Sequence, residues 1–67
     1  MRYEFRIRGQ VSPTITHAFP ELSAIPLPEQ GVTDFRGLLR DQAEVREILD
    51  RFEDLGLEVI GLRHVAE

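Results

Sequence analysis

Two histidines, His17 and His64, are the only imidazoles in the chain, and cysteine is absent. A zinc site would therefore need carboxylate partners, which no spacing in this chain suggests. Both read as surface histidines, and neither a metal nor a cofactor is expected. Ser12 stands directly before Pro13 and has no strand-turn-helix elbow around it, so it caps a helix and is not a nucleophile. The acids between Asp41 and Asp54 are spaced as a solvated helix face, with Arg46 to Asp50 and Glu47 to Arg51 at the i,i+4 separation of weak ion pairs. Gly9 and Gly31 fit turns at strand ends, and no glycine-rich run precedes a helix to cradle phosphate. No catalytic, cofactor-binding or metal-binding residue is nominated. The side chains left for anion or proton handling are the Arg6/Arg8 pair, His17 and His64, and only if two chains enclose a pocket.

The elements that position these side chains come from periodicity. Tyr3, Phe5 and Ile7 alternate with Arg2, Glu4, Arg6 and Arg8, the two-residue period of a strand buried on one face only. Ser12-Pro13 opens a short helix with Ile15, Ala18 and Phe19 on one side, and Pro20 stops it. Residues 22–27 read as a second strand, Glu29-Gln30-Gly31 as a turn, and 32–38 as a third strand with Thr33 and Phe35 inward. Gly37 is expected to mark a bulge. Asp41 with Glu44 forms a capping-box-like start to a second helix, with Val45, Ile48, Leu49, Phe52 and Leu55 on one stripe. Gly56 ends it, and 57–65 is the last strand.

The order β-α-β-β-α-β, with right-handed crossovers, predicts an α+β fold: a ferredoxin-like plait whose four-stranded antiparallel sheet runs 4-1-3-2, both helices on one face. Pro26 and Pro28 support this, since their missing amide donors suit a free edge, where the second strand belongs. The fourth strand, on the opposite edge, has neither proline nor lysine to protect it.

Composition narrows the partners. The chain has 67 residues and carries a formal charge of −4 from twelve acids and eight basic residues, all arginine. Phosphate neutralisation needs a wider basic stripe than Arg2, Arg6 and Arg8 provide, so nucleic acid is not an expected partner. The longest apolar run is far below the roughly 20 residues of a membrane span, and Met1-Arg2-Tyr3-Glu4 alternates charge rather than leading into a signal core. A cytoplasmic protein without a membrane role is expected. One domain of this size buries only about 60% of the surface of its unfolded chain, and without disulfides self-association is the common remedy.

Several families share this topology but lack a match in the residues. Arg8-Gly9-Gln10-Val11 faintly resembles the opening of acylphosphatases, but Ser12 to Thr16 lacks that family's phosphate-binding arginine. Heavy-metal-binding domains and bacterial ferredoxins need cysteines, and small tautomerases need proline where this chain has Arg2. Amino-acid-sensing regulatory domains share topology alone. The chain more closely resembles short uncharacterised proteins of high-GC bacteria, through Tyr3-Glu4-Phe5-Arg6-Ile7-Arg8-Gly9, Asp41-Gln42-Ala43 and Leu55-Gly56-Leu57; that resemblance implies the fold and assigns no activity.

The function expected is a small non-enzymatic interaction or self-assembly module. It would act through the open sheet face and the fourth-strand edge, using Arg6, Arg8, Val59, Ile60, Leu62 and His64, with a homo-oligomer or another protein as partner. Either Ile60 and Leu62 or Leu57 and Val59 must face away from the helices, with Arg6, Arg8, Glu58 and His64 as a polar rim. The alternative is a dimeric small-ligand or enzymatic domain with a pocket at the sheet interface.

Overall fold

The computed structural model describes residues 1–66. Alternation along Arg2–Arg8 produces the first strand, β1, which buries Tyr3, Phe5 and Ile7. Helix α1, Pro13–His17, starts where Ser12 Oγ accepts the Ile15 amide at 3.3 Å and Pro13 fills the first turn. Strand β2 is Ser23–Leu27 and β3 is Val32–Leu38; a 3₁₀ turn, Pro28–Gln30, joins them and closes on Gly31 at φ 68°. Helix α2 covers Gln42–Asp54 and β4 covers Val59–Val65. The four strands form one antiparallel sheet in the order β2-β3-β1-β4, the expected 4-1-3-2 seen from the other edge. No helix of the described residues is long and apolar enough to cross a membrane.

The core lies on one side of the sheet. Phe5 and Phe35, directly opposite each other on β1 and β3, meet Phe52 of α2 and Phe19, which follows α1. Phe19 and Phe52 stack at 4.3 Å, and Phe35 meets both rings edge-on. Offset and edge-to-face arrangements set the favourable parts of the ring quadrupoles against each other. Arg51 fastens α2 over this cluster. Its Nη1 donates to the Ala18 carbonyl at 3.0 Å and to Glu21 at 2.9 Å, its Nη2 donates to Glu47 at 3.1 Å, and its guanidinium lies 5.2 Å above the Phe19 ring. Thr33 and Phe35 are buried as the alternation predicts, and the Thr33 hydroxyl donates to the Gly9 carbonyl at 2.9 Å.

Several local expectations are corrected. Gly37 is no bulge, because β3 pairs with β1 in unbroken register there; it is glycine because a Cβ would stand 2.7 Å from the Glu21 carbonyl oxygen and 2.8 Å from a Leu22 methyl carbon. The bulge is in β4, where Arg6 pairs with Gly61 but Ile7 pairs with Val59, leaving Ile60 as the extra residue. Asp41 Oδ1 accepts the Glu44 amide at 3.0 Å, but the Glu44 carboxylate takes the Arg40 amide at 2.6 Å instead of closing the box on Asp41. Pro28 lies in the 3₁₀ turn, so Pro26 alone stands within β2. Along the α2 stripe Val45, Ile48 and Phe52 are buried and Leu49 is partly buried, and Leu55 lies exposed beyond the last turn. Leu22 and Leu57 precede the strands they were assigned to, although both side chains still pack on the core.

Candidate interaction surface

The sheet face opposite the helices carries a grid of charge. Pairing of β1 with β3 sets Arg6 against Asp34 and Glu4 against Arg36, and pairing with β4 sets Glu4 against Arg63. Arg6 grips Asp34 with two hydrogen bonds, Nε to Oδ1 at 2.8 Å and Nη2 to Oδ2 at 3.1 Å. Arg36 Nη2 reaches the same Oδ2 at 3.5 Å, and its Nε stands 3.1 Å from Glu4 Oε2. Arg63 Nη2 donates to Glu4 Oε1 at 2.6 Å. The carboxylates lie low and the guanidinia above them: the Asp34 side chain is 4% exposed and that of Glu4 16%, against 71% for Arg63. Hydrogen bonding from Arg6 holds the Asp34 carboxyl below the usual carboxylate range, against the opposing effect of burial and with help from the charges of Arg6 and Arg36. Reciprocally, the bond to Asp34 raises Arg6 above its already high value.

At the β4 margin, Gly61 lies opposite Arg6 with no side chain, and Ile60 forms an apolar wall. Together with Glu4, Arg6, Asp34, Arg36 and Arg63 these residues line an open groove of about 390 Å³.

The two sheet edges differ in their backbone. The Arg8 amide donates to the Glu58 carbonyl and the Gly9 amide to the Gly31 carbonyl, so even-numbered residues of β1 bond toward β4 and odd-numbered ones toward β3. Opposite Arg2, Glu4 and Arg6, the inward-bonding residues of β4 are Val65, Arg63 and Gly61. The amides and carbonyls of Leu62 and His64 therefore point to the free edge. The same alternation, carried through β3, turns the nitrogen of Pro26 outward on β2, where proline removes the donor.

The nominated residues divide between two faces. Arg6 and Arg8 both lie on the open face, each bonded to its own carboxylate at 2.8 Å, Arg6 to Asp34 and Arg8 to Glu58. Val59 packs on the core, as does Leu57. The bulge breaks the two-residue period, so Leu62 falls opposite Phe5 on the helix side, yet it is 47% exposed because no element covers it at the margin; Ile60 is 40% exposed. His64 stacks on Tyr3 at 4.8 Å, also on the helix side, so the polar rim drawn from Arg6, Arg8, Glu58 and His64 is split between faces. His17 closes α1 on the helix side, and the histidines are not brought together with the Arg6/Arg8 pair. Among the described residues no three His, Asp or Glu side chains gather as a metal site.

The ladder through Glu4, Asp34, Arg36 and Arg63 was missed from sequence. Its signal was the alternation of charge on both central strands, which becomes pairing once the register is known. No curated protein and no solved structure matches the chain. A family model does match it, over residues 2–63, and the chain accordingly belongs to the family described as a domain of unknown function, DUF8691.

Proposed function

We propose that this protein is a small non-enzymatic self-assembly module, of ferredoxin-like topology, whose working unit joins two copies through β4. The observation that carries this reading is the contrast between the edges. β2 is blunted by Pro26, whereas β4 offers the outward amides and carbonyls of Leu62 and His64 beside the exposed side chains of Ile60 and Leu62. Antiparallel addition about a twofold axis at Leu62 sets Leu62 against its own copy, Ile60 against His64 and Arg63 against Gly61. No like charges face each other in that register, because the residue opposite each Arg63 is a glycine.

The chain contains no cysteine, so Leu62→Cys introduces a single thiol. Residues paired across a twofold axis lie about 4.5–5.5 Å apart at Cα, within disulfide range. Leu62→Cys is expected to cross-link under a glutathione redox buffer, and Glu47→Cys, on the outer face of α2, is not. Wild type is expected to sediment as a dimer at micromolar concentration and Leu62→Arg as a monomer. A monomeric wild type, or equal cross-linking at both positions, would overturn the proposal.

A further inference from the structure

The charge ladder on the open face has its acceptors used up and its donors left over. All four carboxylate oxygens of Glu4 and Asp34 have a guanidinium nitrogen within 3.5 Å. The three guanidinia of Arg6, Arg36 and Arg63 carry about five N–H groups each. Their Nη1 atoms have no protein acceptor among the described residues, and Arg36 Nε is buried without an aligned one, its 3.1 Å approach to Glu4 lying off the donor axis. Buried donors are rarely left in this state, and such a donor calls for an explanation. Three positive groups against two negative ones also leave the ladder with one uncompensated positive charge.

Among the described residues the same face also carries Arg8, paired with Glu58, so the surplus of one positive charge persists, while the exposed acids of α2 lie on the opposite side of the molecule. A chain of negative net charge thus presents one positive face. The missing side chain at Gly61 keeps the groove open, since a Cβ there would rest 3.4 Å from Arg6 Cβ, and Ile60 supplies an apolar wall.

We infer that this groove docks an acidic peptide segment of a protein partner, in extended form, with its carboxylates on Arg6, Arg36 and Arg63 and an apolar side chain against Ile60. A planar carboxylate matches the guanidinium fork, and alternate residues of an extended strand present their side chains to one side about 6.8 Å apart, a spacing that lets neighbouring acids reach neighbouring arginines. The small surplus of positive charge suits one or two carboxylates. A polyphosphate would meet Glu4 and Asp34 at the centre of the face and too few arginines around them. This inference goes beyond the β4 pairing: the two share Ile60, but the pairing uses the backbone of the strand edge, whereas the guanidinia of Arg6, Arg36 and Arg63 lie on the sheet face.

The test is an NMR titration of the full chain, following the arginine Nε resonances. The probes are a capped pentapeptide, Glu-Gly-Glu-Gly-Leu, which presents two carboxylates and an apolar side chain on one side, its glutamine counterpart, disodium glutarate and a single-stranded oligonucleotide. The glutamate peptide is expected to shift Arg6, Arg36 and Arg63 saturably, with binding weakened by added salt, and the glutamine peptide is expected to leave them unmoved. Arg63→Gln, at an exposed position whose loss leaves Glu4 paired with Arg36, should weaken binding at least about fivefold, the equivalent of one charged contact. Arg46→Gln on α2 should leave it unchanged. No response to the glutamate peptide, an equal response to the glutamine peptide, glutarate binding as tightly as the peptide, or tighter binding of the oligonucleotide would each overturn the inference.

Discussion

Replacing Gly37 by alanine tests the packing of β3 against the chain that leads into β2. The added Cβ would lie 2.7 Å from the Glu21 carbonyl oxygen and 2.8 Å from Leu22 Cδ2. Ordinary contact begins near 3.4 Å, so the Glu21 carbonyl must retreat by 3.4 − 2.7 = 0.7 Å. That movement is resisted from two sides. Leu22 is buried in the core, and the Glu21 side chain is held at 2.9 Å by Arg51, which also bonds the Ala18 carbonyl. Overpacking of this kind costs about 1–3 kcal/mol, offset by about 0.4–1 kcal/mol because alanine restricts the unfolded chain. A net loss of about 1–2 kcal/mol follows, a large share of the roughly 3–10 kcal/mol that 67 residues supply. Urea unfolding followed by far-UV circular dichroism reads it, as a fall in midpoint of about 0.5–1 M at the slope usual for a small domain. Gly61→Ala is the internal control. Its Cβ meets only Arg6 Cβ at 3.4 Å, so its stability should stay within about 0.5 kcal/mol of wild type. If Gly37→Ala proved as stable as wild type, or as stable as Gly61→Ala, the close-approach account of Gly37 would be refuted.

Acid should probe the ladder. Because the carboxyl of Asp34 titrates lower in the folded chain than in the unfolded one, the unfolded state takes up the proton first, and stability falls as pH drops through and below the ordinary carboxylate value of about 3.9. Urea midpoints measured from neutral pH downward should fall less steeply for Asp34→Asn than for wild type; parallel curves would show that Asp34 does not contribute. Ile48→Ala removes a fully buried side chain and should cost about 2–5 kcal/mol, enough to populate the unfolded state, while Glu47→Ala forfeits one exposed pair to Arg51 and should cost under about 1 kcal/mol. Thermal unfolding ranks the two, and similar midpoints would contradict the burial of the α2 stripe.

What the sequence determined by itself was what periodicity and local capping encode. Tyr3, Phe5 and Ile7 can share a side only in a strand, Ser12 and Asp41 cap the helices that follow them, and chain order with right-handed crossovers leaves few sheet topologies. Pro26 marked one edge as the protected one because the absence of an amide donor is a property of the residue. Tertiary structure decided whatever depends on partners distant in sequence. Gly37 owes its identity to Glu21 and Leu22, which pack against it across the core. The direction of Leu62 depends on the extra residue at Ile60, since one insertion reverses the pleat for everything beyond it, and no local signal in Val59-Ile60-Gly61 announces it. The pairing of Arg6 with Asp34, 28 residues away, and of Arg63 with Glu4, 59 away, exists only once β1 is flanked in register by β3 and β4. That register converts alternating charges, which in sequence read as a solvated face, into a ladder with one buried carboxylate, one half-buried carboxylate and unspent donors.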